Sequence, residues 1–351
     1  MTDVPNNAEP KTYTDRIGEY LRPHTDQYIF DELSDAYLKR TGMADVLTGV
    51  PVPIRKTEIT GLTNVKIARS MAMIIGCDLN FKFRDNYIAF INRSFGKDFA
   101  RALIADGVDG AAKSDFDYAC ICFRAALLLD PENVDALYCY GRACKDSYEI
   151  GEGEEYVGRY KAEALEAFEK LTLAAPEFDM GFYFLGYAYL NLGLYLKAGL
   201  TWDEFLKLTA DDEGAEGDEK QKMREEVLEW KEKLEEPIKI EAAYNKILSG
   251  KFQAGIDELL PYTTDERFNT WWPMWFYLGT AYESVGDVEE AEHAFLEVLR
   301  YSPSNIDAMK ELVDIYTSLG DERRAEKYRT KIGIVERNAE EYRAEKDKSW
   351  Q

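Results

Sequence analysis

The sequence predicts an all-α protein, a solenoid of stacked helix–turn–helix units, and three observations predict it. Residues 272–305, WPMWFYLGTAYESVGDVEEAEHAFLEVLRYSPSN, hold two apolar runs at three- and four-residue spacing, the periodicity of a helix face. Gly286-Asp287 separates the two runs and Pro303 closes the second, so the stretch reads as helix, turn, helix. The same order of small, aromatic and proline residues returns several times between residues 99 and 335. One such pair cannot bury its own apolar face, so neighbouring pairs must stack on it.

Within residues 272–305 each conspicuous position has a physical use. Trp275, Leu278 and Tyr282 share one face of the first helix, and Ala291, Phe295 and Val298 one face of the second. Gly279 and Ala291 are small where two antiparallel helices approach closely. Together these residues spell W-x2-L-G-x2-Y…A-x3-F…P on a 34-residue frame, which resembles the tetratricopeptide repeat. The resemblance implies a right-handed superhelical array in which the first helix of each unit lines a concave groove that takes an extended or helical peptide.

The remaining elements follow in order. Residues 1–24 are expected to form a flexible arm, and residues 25–98 an N-terminal helical region. Residues 25–42 read as a helix with Ile29, Leu33 and Tyr37 on its apolar face. Residues 50–54, with two prolines, read as extended. Residues 63–76 and 84–96 read as two more helices, with Val65, Ala68, Ala72 and Ile75 on one face and Tyr87, Ile91 and Phe95 on the other's. A degenerate repeat and a separate helical cap both fit this region.

The array spans residues 99–335 in about six units. The first carries Gly107, Ala119, Phe123, Ala126 and Pro131; the second Leu137, Tyr140-Gly141, Cys144, Ala164, Phe168 and Pro176. The spacing from Pro131 to Pro176 exceeds the frame by about eleven residues, an insertion near 145–158 around GEGEEYVG. The third holds Phe182, Leu185-Gly186, Tyr189, Gly193, Ala198, Trp202 and Phe205. Residues 211–236 are charged and off the frame: DDEGAEGDE reads as a mobile loop and MREEVLEWKEKLEE as helix. A weak fourth unit has Ala243, Gly250, Gly255 and Leu259, and residues 272–305 are the fifth. The sixth has Met309, Leu312, Tyr316, Gly320-Asp321 and Ala325, with Arg329 where an aromatic is usual. That exchange, with a charged helix and tail over residues 336–351, suits a terminal cap facing water.

Charge and composition narrow the function. Lys and Arg number 43 against 66 Asp and Glu, a net charge of −23. Residues 1–98 hold 13 of each sign, so the array carries the whole acidic excess. Such a surface repels phosphate backbones, so neither nucleic acid nor an anionic membrane is the expected partner. The first residues, MTDVPNNAEPKTYTD, lack a basic stretch followed by an apolar core, so no secretory leader is expected. Residues 181–200 are mostly apolar but fit the repeat frame, and read as two half-buried helices. Five cysteines (Cys77, Cys120, Cys122, Cys139, Cys144) without regular spacing read as reduced core thiols of a cytoplasmic protein.

Catalytic groups are sparse. Of two histidines, His293 falls between Ala291 and Phe295, where packing or solvent contact is expected. No phosphate-binding glycine loop and no Gly-x-Ser-x-Gly elbow occurs. The Cys120-x-Cys122 spacing is not that of a zinc knuckle. No catalytic, metal or cofactor site is therefore expected, and the protein reads as a non-enzymatic scaffold or adaptor for a protein or peptide. A peptide-responsive sensor with the N-terminal region as output is the alternative; chemistry within residues 1–98 is a third possibility for which no residue stands out.

The groove face that the resemblance implies holds Tyr138, Arg142 and Lys145 in the second unit. It continues with Tyr183, Tyr187 and Asn191 in the third, and Phe276, Thr280 and Glu283 in the fifth. Tyrosines offer large rigid area and one hydroxyl, good binding chemistry; the same rings also suit packing between units. Chaperone-binding arrays grip a carboxylate with Lys-x3-Asn on successive first helices. Here those faces hold Arg101, Ile104, Val108, Tyr138, Arg142, Tyr183 and Tyr187, so that clamp is not expected. If the frame is right, Gly279→Leu or Ala198→Trp overpacks a close helix contact and costs about 1–3 kcal/mol. Thermal unfolding checks this, and normal melting of either variant refutes the frame.

Overall fold

A computed structural model of the chain describes residues 12–59, 61–210 and 214–349, the side chains of 214–218 and 342–349 excepted. It is almost entirely helical and divides into two units, Met1–Arg224 and Glu225–Gln351. The expected division at residues 98/99 is not a boundary here, because a single apolar core joins residues 28–91 to Phe99, Leu103 and Ala125.

The first unit opens with α1 (Gly18–Leu21), a 3-10 turn (Arg22–Gln27), β1 (Tyr28–Asp31), α2 (Asp35–Thr41), α3 (Ala44–Leu47) and β2 (Val52–Arg55). Two of these correct the sequence reading. Residues 25–42 are not one helix: β1 pairs antiparallel with β2, Ile29 opposite Ile54, and only α2 remains helical, started by Ser34, whose side chain accepts from the Tyr37 amide. Residues 1–24 are not wholly a loose arm either. Residues 1–11 lie outside the described residues, but Ile17 and Leu21 are completely buried against Cys77, Phe123 and Tyr160.

Helices α4 (Asn64–Cys77) and α5 (Arg84–Phe95) fall where the periodicity places them. Ala68, Ala72 and Ile75 are buried as expected; Val65, 47% exposed, is not. Three helix pairs follow: α6 (Asp98–Ala112) with α7 (Phe116–Leu129), α8 (Val134–Ile150) with α9 (Glu154–Ala174), and α10 (Asp179–Leu190) with α11 (Tyr195–Leu208). The insertion in the second pair forms no long loop. It lengthens both helices, to 17 and 21 residues, and leaves only a tight turn at 151–153. The expected loop at 211–219 lies partly outside the described residues; from Gly214 the chain is already helical, in α12 (Gly214–Lys233).

The second unit packs α13 (Glu235–Leu248) on α14 (Phe252–Leu259), α15 (Trp272–Val285) on α16 (Val288–Tyr301), and α17 (Ile306–Ser318) on α18 (Glu322–Ser349). Trp275, Leu278, Ala291, Phe295 and Val298 all enter one core with Leu312 and Tyr316. Gly286 takes φ +83° at the end of α15, a conformation that side chains resist. Asp287 then caps α16 by accepting from the Glu290 amide.

What holds residues 15–22 in place is electrostatic as well as apolar. Arg124 of α7 is 3% exposed and donates from Nη2 to Asp15 at 2.5 Å, while its Nε and Nη1 find no protein acceptor. Arg16 reaches Glu163 and Glu166 of α9, and Tyr140 donates to the other oxygen of Glu163 at 2.7 Å. Removing one partner of such a buried pair leaves an uncompensated charge, so Asp15→Asn should cost about 3 kcal/mol. Denaturant unfolding checks it; an unchanged midpoint would show that Asp15 does not hold Arg124 in solution.

Candidate partner-binding faces

In the first unit α8 and α10 lie side by side through their rings. The Tyr138 ring packs edge-on against Phe178 (5.2 Å) and tilted on Phe184 (5.9 Å). Arg142, one turn on from Tyr138, is exposed and lays its guanidinium over both Tyr138 and Phe184, at 5.5 and 5.4 Å. It also donates to the Tyr138 hydroxyl at 3.3 Å. One turn further, Lys145 pairs with Glu149, and Asn191, just past the end of α10, donates to the Tyr148 hydroxyl at 3.2 Å. Burial raises the Asp146 carboxyl above the usual carboxylate range, although Lys145 and Arg142 pull it down. Four of the expected residues, Tyr138, Arg142, Lys145 and Asn191, therefore make one face. Phe184 and Tyr148, which complete it, are not on the register of Tyr138, Arg142 and Lys145 or of Tyr183, Tyr187 and Asn191 that the repeat implies.

Tyr183 and Tyr187 have a different setting. Tyr183 is only 9% exposed, and its ring meets Tyr187, Phe184 and Phe205 of α11 at 5.1–5.2 Å. Tyr187 is half-buried, 5.0 Å from Trp202. Both rings pack within their own helix pair, so replacing Tyr183 disturbs the core before it tests binding.

The remaining three expected residues belong to α15 in the second unit. Phe276 is half-buried, edge-on to Phe295 at 5.6 Å, and the Thr280 hydroxyl donates back to the Phe276 carbonyl at 3.0 Å. Beside Phe276 opens a cleft of about 180 Å³ between the start of α15 and the start of α17, lined by Trp272, Pro273, Phe276, Tyr277, Asn305 and Asp307. The sequence reading passed over Trp272 and Tyr277; the signal was a tryptophan just ahead of the repeat's own Trp275. Glu283 lies at the other end of α15. Burial, and then the charge of Asp314 on α17, raises its carboxyl pKa. Glu311 is raised likewise by burial, then by Glu283, Asp314 and Asp307. These carboxylates crowd one stretch of α15 and α17.

No group of three or more His, Cys, Asp or Glu among the described residues is placed to hold a metal ion. Cys77, Cys120, Cys122 and Cys144 are buried and unpaired by disulfide, and burial pushes the Cys77 and Cys122 thiols up to about 12. Such thiols stay protonated and unreactive near neutrality. His293 is exposed and edge-on to Trp275 at 6.0 Å.

Residues 277–329, from α15 into α18, match the family model described as Tetratricopeptide repeat. No curated protein matches the chain in sequence. Among solved structures, the chain is similar to a crystal structure of MamA protein at 18% identity, over 70% of this chain and 95% of that one, with a TM-score of 0.27. MamA from Desulfovibrio magneticus shares 17% identity over 57% of this chain and 96% of its own, with a TM-score of 0.29. The TPR domain of P58(IPK) shares 13% over 80% and 75%, with a TM-score of 0.42. At scores this low the likenesses bear no weight for function.

A carboxyl whose folded pKa is raised binds its proton more tightly in the native state. Its effect is most stabilising below the unfolded pKa and is lost as pH rises through the folded value. Glu311→Gln should therefore raise the melting temperature at pH 7, with the gain over wild type vanishing towards pH 4. Calorimetry at both pH values checks this; a lower melting temperature at pH 7 would mean that Glu311 is held by an attraction rather than crowded.

Proposed function

We propose that this chain, a tetratricopeptide-repeat protein, is a non-catalytic scaffold that seats a polypeptide segment of a partner on the first helices of its pairs. What supports the reading is the α8–α10 face. It presents an exposed guanidinium over two rings, with Lys145 one turn further on and Asn191 hydrogen-bonded to Tyr148. A guanidinium resting on aromatic rings has less rotamer freedom, so it loses less entropy on meeting an acceptor. An exposed guanidinium, beside a Lys145 already paired with Glu149, suits an acidic or carbonyl-rich stretch of the partner. Buried rings beside polar tips are the composition of binding hot spots.

Residues 25–98 act in this reading as the cap of the array, since they share one core with α6 and α7. That disfavours the alternative in which they move as a separate output. Among the described residues no helix is long and apolar enough to cross a membrane. The free cysteines fit a reducing compartment, the cytoplasm for preference.

The test is capture from the source cell's lysate with wild type and an Arg142→Ala/Lys145→Ala double variant. Both side chains reach solvent, so the variant should melt within a few degrees of wild type. Partners bound by wild type and lost by the folded variant are the expected outcome. Equal capture by both proteins would remove the α8–α10 face from the function.

A further inference from the structure

The cleft in the second unit has a chemistry opposite to that of the α8–α10 face. It is lined by the aromatic residues Trp272, Phe276 and Tyr277, by Pro273, and by the polar Asn305 and Asp307. Trp272 is 38% exposed, so its ring stands open to an incoming group. Tyr277 is held from behind by Tyr244 of α13, stacked at 4.7 Å with 12° between the rings. The Asn305 side chain is committed to capping α17, accepting from the Ala308 amide at 2.9 Å. Asp307 thus remains as the charged group at the mouth. Its neighbour Lys310 lies 3.8 Å away, with the lysine 59% and the aspartate 76% exposed, a loose surface pair that water screens.

Size and charge select the occupant. Drug-sized ligands occupy pockets of about 300–1,000 Å³, and at about 180 Å³ the cleft takes one long side chain instead. Aromatic faces carry negative quadrupole charge and attract ammonium and guanidinium groups, most strongly at tryptophan. α15 contains no Lys or Arg, and beyond Asp307 the same side of α15 and α17 continues with Glu311, Asp314 and Glu283. We infer that this cleft receives a lysine or arginine side chain of a basic partner segment, its stem against Trp272 and Phe276 and its cation at Asp307. The inference rests on the scaffold reading above, but on a different face.

A binding titration of the full chain at low salt tests it, with a peptide of alternating serine and lysine as the probe. Counterparts carrying glutamate and the neutral, isosteric norleucine in place of lysine are the comparisons. Because the whole protein is acidic, the lysine peptide is attracted everywhere, and charge-matched variants separate the cleft from the general field. Trp272→Ala, which leaves net charge unchanged, and Asp307→Asn should each weaken the lysine peptide about tenfold. Glu289→Gln, on the exposed side of α16, removes the same charge as Asp307→Asn and should leave binding almost unchanged. Trp272→Tyr, which keeps a ring, should retain most of the affinity and guards against a fold defect in Trp272→Ala. Equal binding by wild type and Trp272→Ala, equal loss in Asp307→Asn and Glu289→Gln, or equal affinity for the norleucine peptide would each overturn the assignment. The Arg142→Ala/Lys145→Ala protein should bind the lysine peptide as wild type does, so a failed cleft leaves the α8–α10 face standing, and a failed α8–α10 face leaves the cleft to be judged on its own variants.

Discussion

A glycine pressed against an aromatic ring is the contact on which this architecture depends. In four helix pairs the first helix places a glycine where the second helix brings a ring: Gly107 at Phe123, Gly141 at Phe168, Gly186 at Trp202 and Gly279 at Phe295. A Cβ at any of the four would lie only 2.1–2.7 Å from a ring atom, well inside van der Waals contact. The helices therefore meet at a separation that only glycine permits, and the ring fills the space it leaves. At Trp202 the indole N–H also finds an acceptor, the Tyr183 carbonyl at 3.1 Å, so even the largest ring is buried without a polar penalty. The contact also sets the outward register. Arg142 follows one of these glycines, and a step of about 100° per residue turns it away from the contact and into solvent.

The last pair shows the same rule by breaking it. One frame beyond Gly279 stands Val313, and one frame beyond Phe295 stands Arg329. The exchange is coupled: without a ring to accommodate, the first helix tolerates a branched side chain. Arg329 turns outward instead and pairs with Glu322 and Glu326 while donating to the Thr317 hydroxyl. In this pair the position that supplies the ring elsewhere is given to a charge that faces water.

Legibility in the sequence followed the range of the cause. The helix pairs were readable because each is written in three- and four-residue spacings with its own punctuation, as at Gly286 and Asp287. The strand at Tyr28–Asp31 was not: Ile29, Leu33 and Tyr37 mimic a helical face, and pairing with Val52–Arg55 overrides that local pattern. Nor was the packing of Ile17 and Leu21, because the partner of Asp15 is Arg124, on a helix more than a hundred positions away. For the candidate site, register alone brought Tyr138, Arg142, Lys145 and Asn191 onto one face. It could not say that Tyr183 is covered, since Phe205 and Trp202 reach it from the second helix, nor that Trp272 and Asp307, each near a helix start, enclose a cleft.

The overall charge misleads about selectivity. A net −23 suggests one acidic surface with one preference, yet the two units differ where the rings are. In the first, Arg142 and Lys145 head the aromatic face, and burial raises the pKa of a neighbouring carboxyl, Asp146. In the second, burial and the charge of Asp314 raise the Glu283 carboxyl, burial and the charges of Glu283, Asp314 and Asp307 raise that of Glu311, and α15 bears no arginine or lysine. Long-range steering answers to the total, but within a Debye length of roughly 8–10 Å binding answers to the local sign. On the proposed reading, a partner drawn in by its basic charge would thus meet opposite demands on the two faces, and specificity would come from the charge beside each unit's rings.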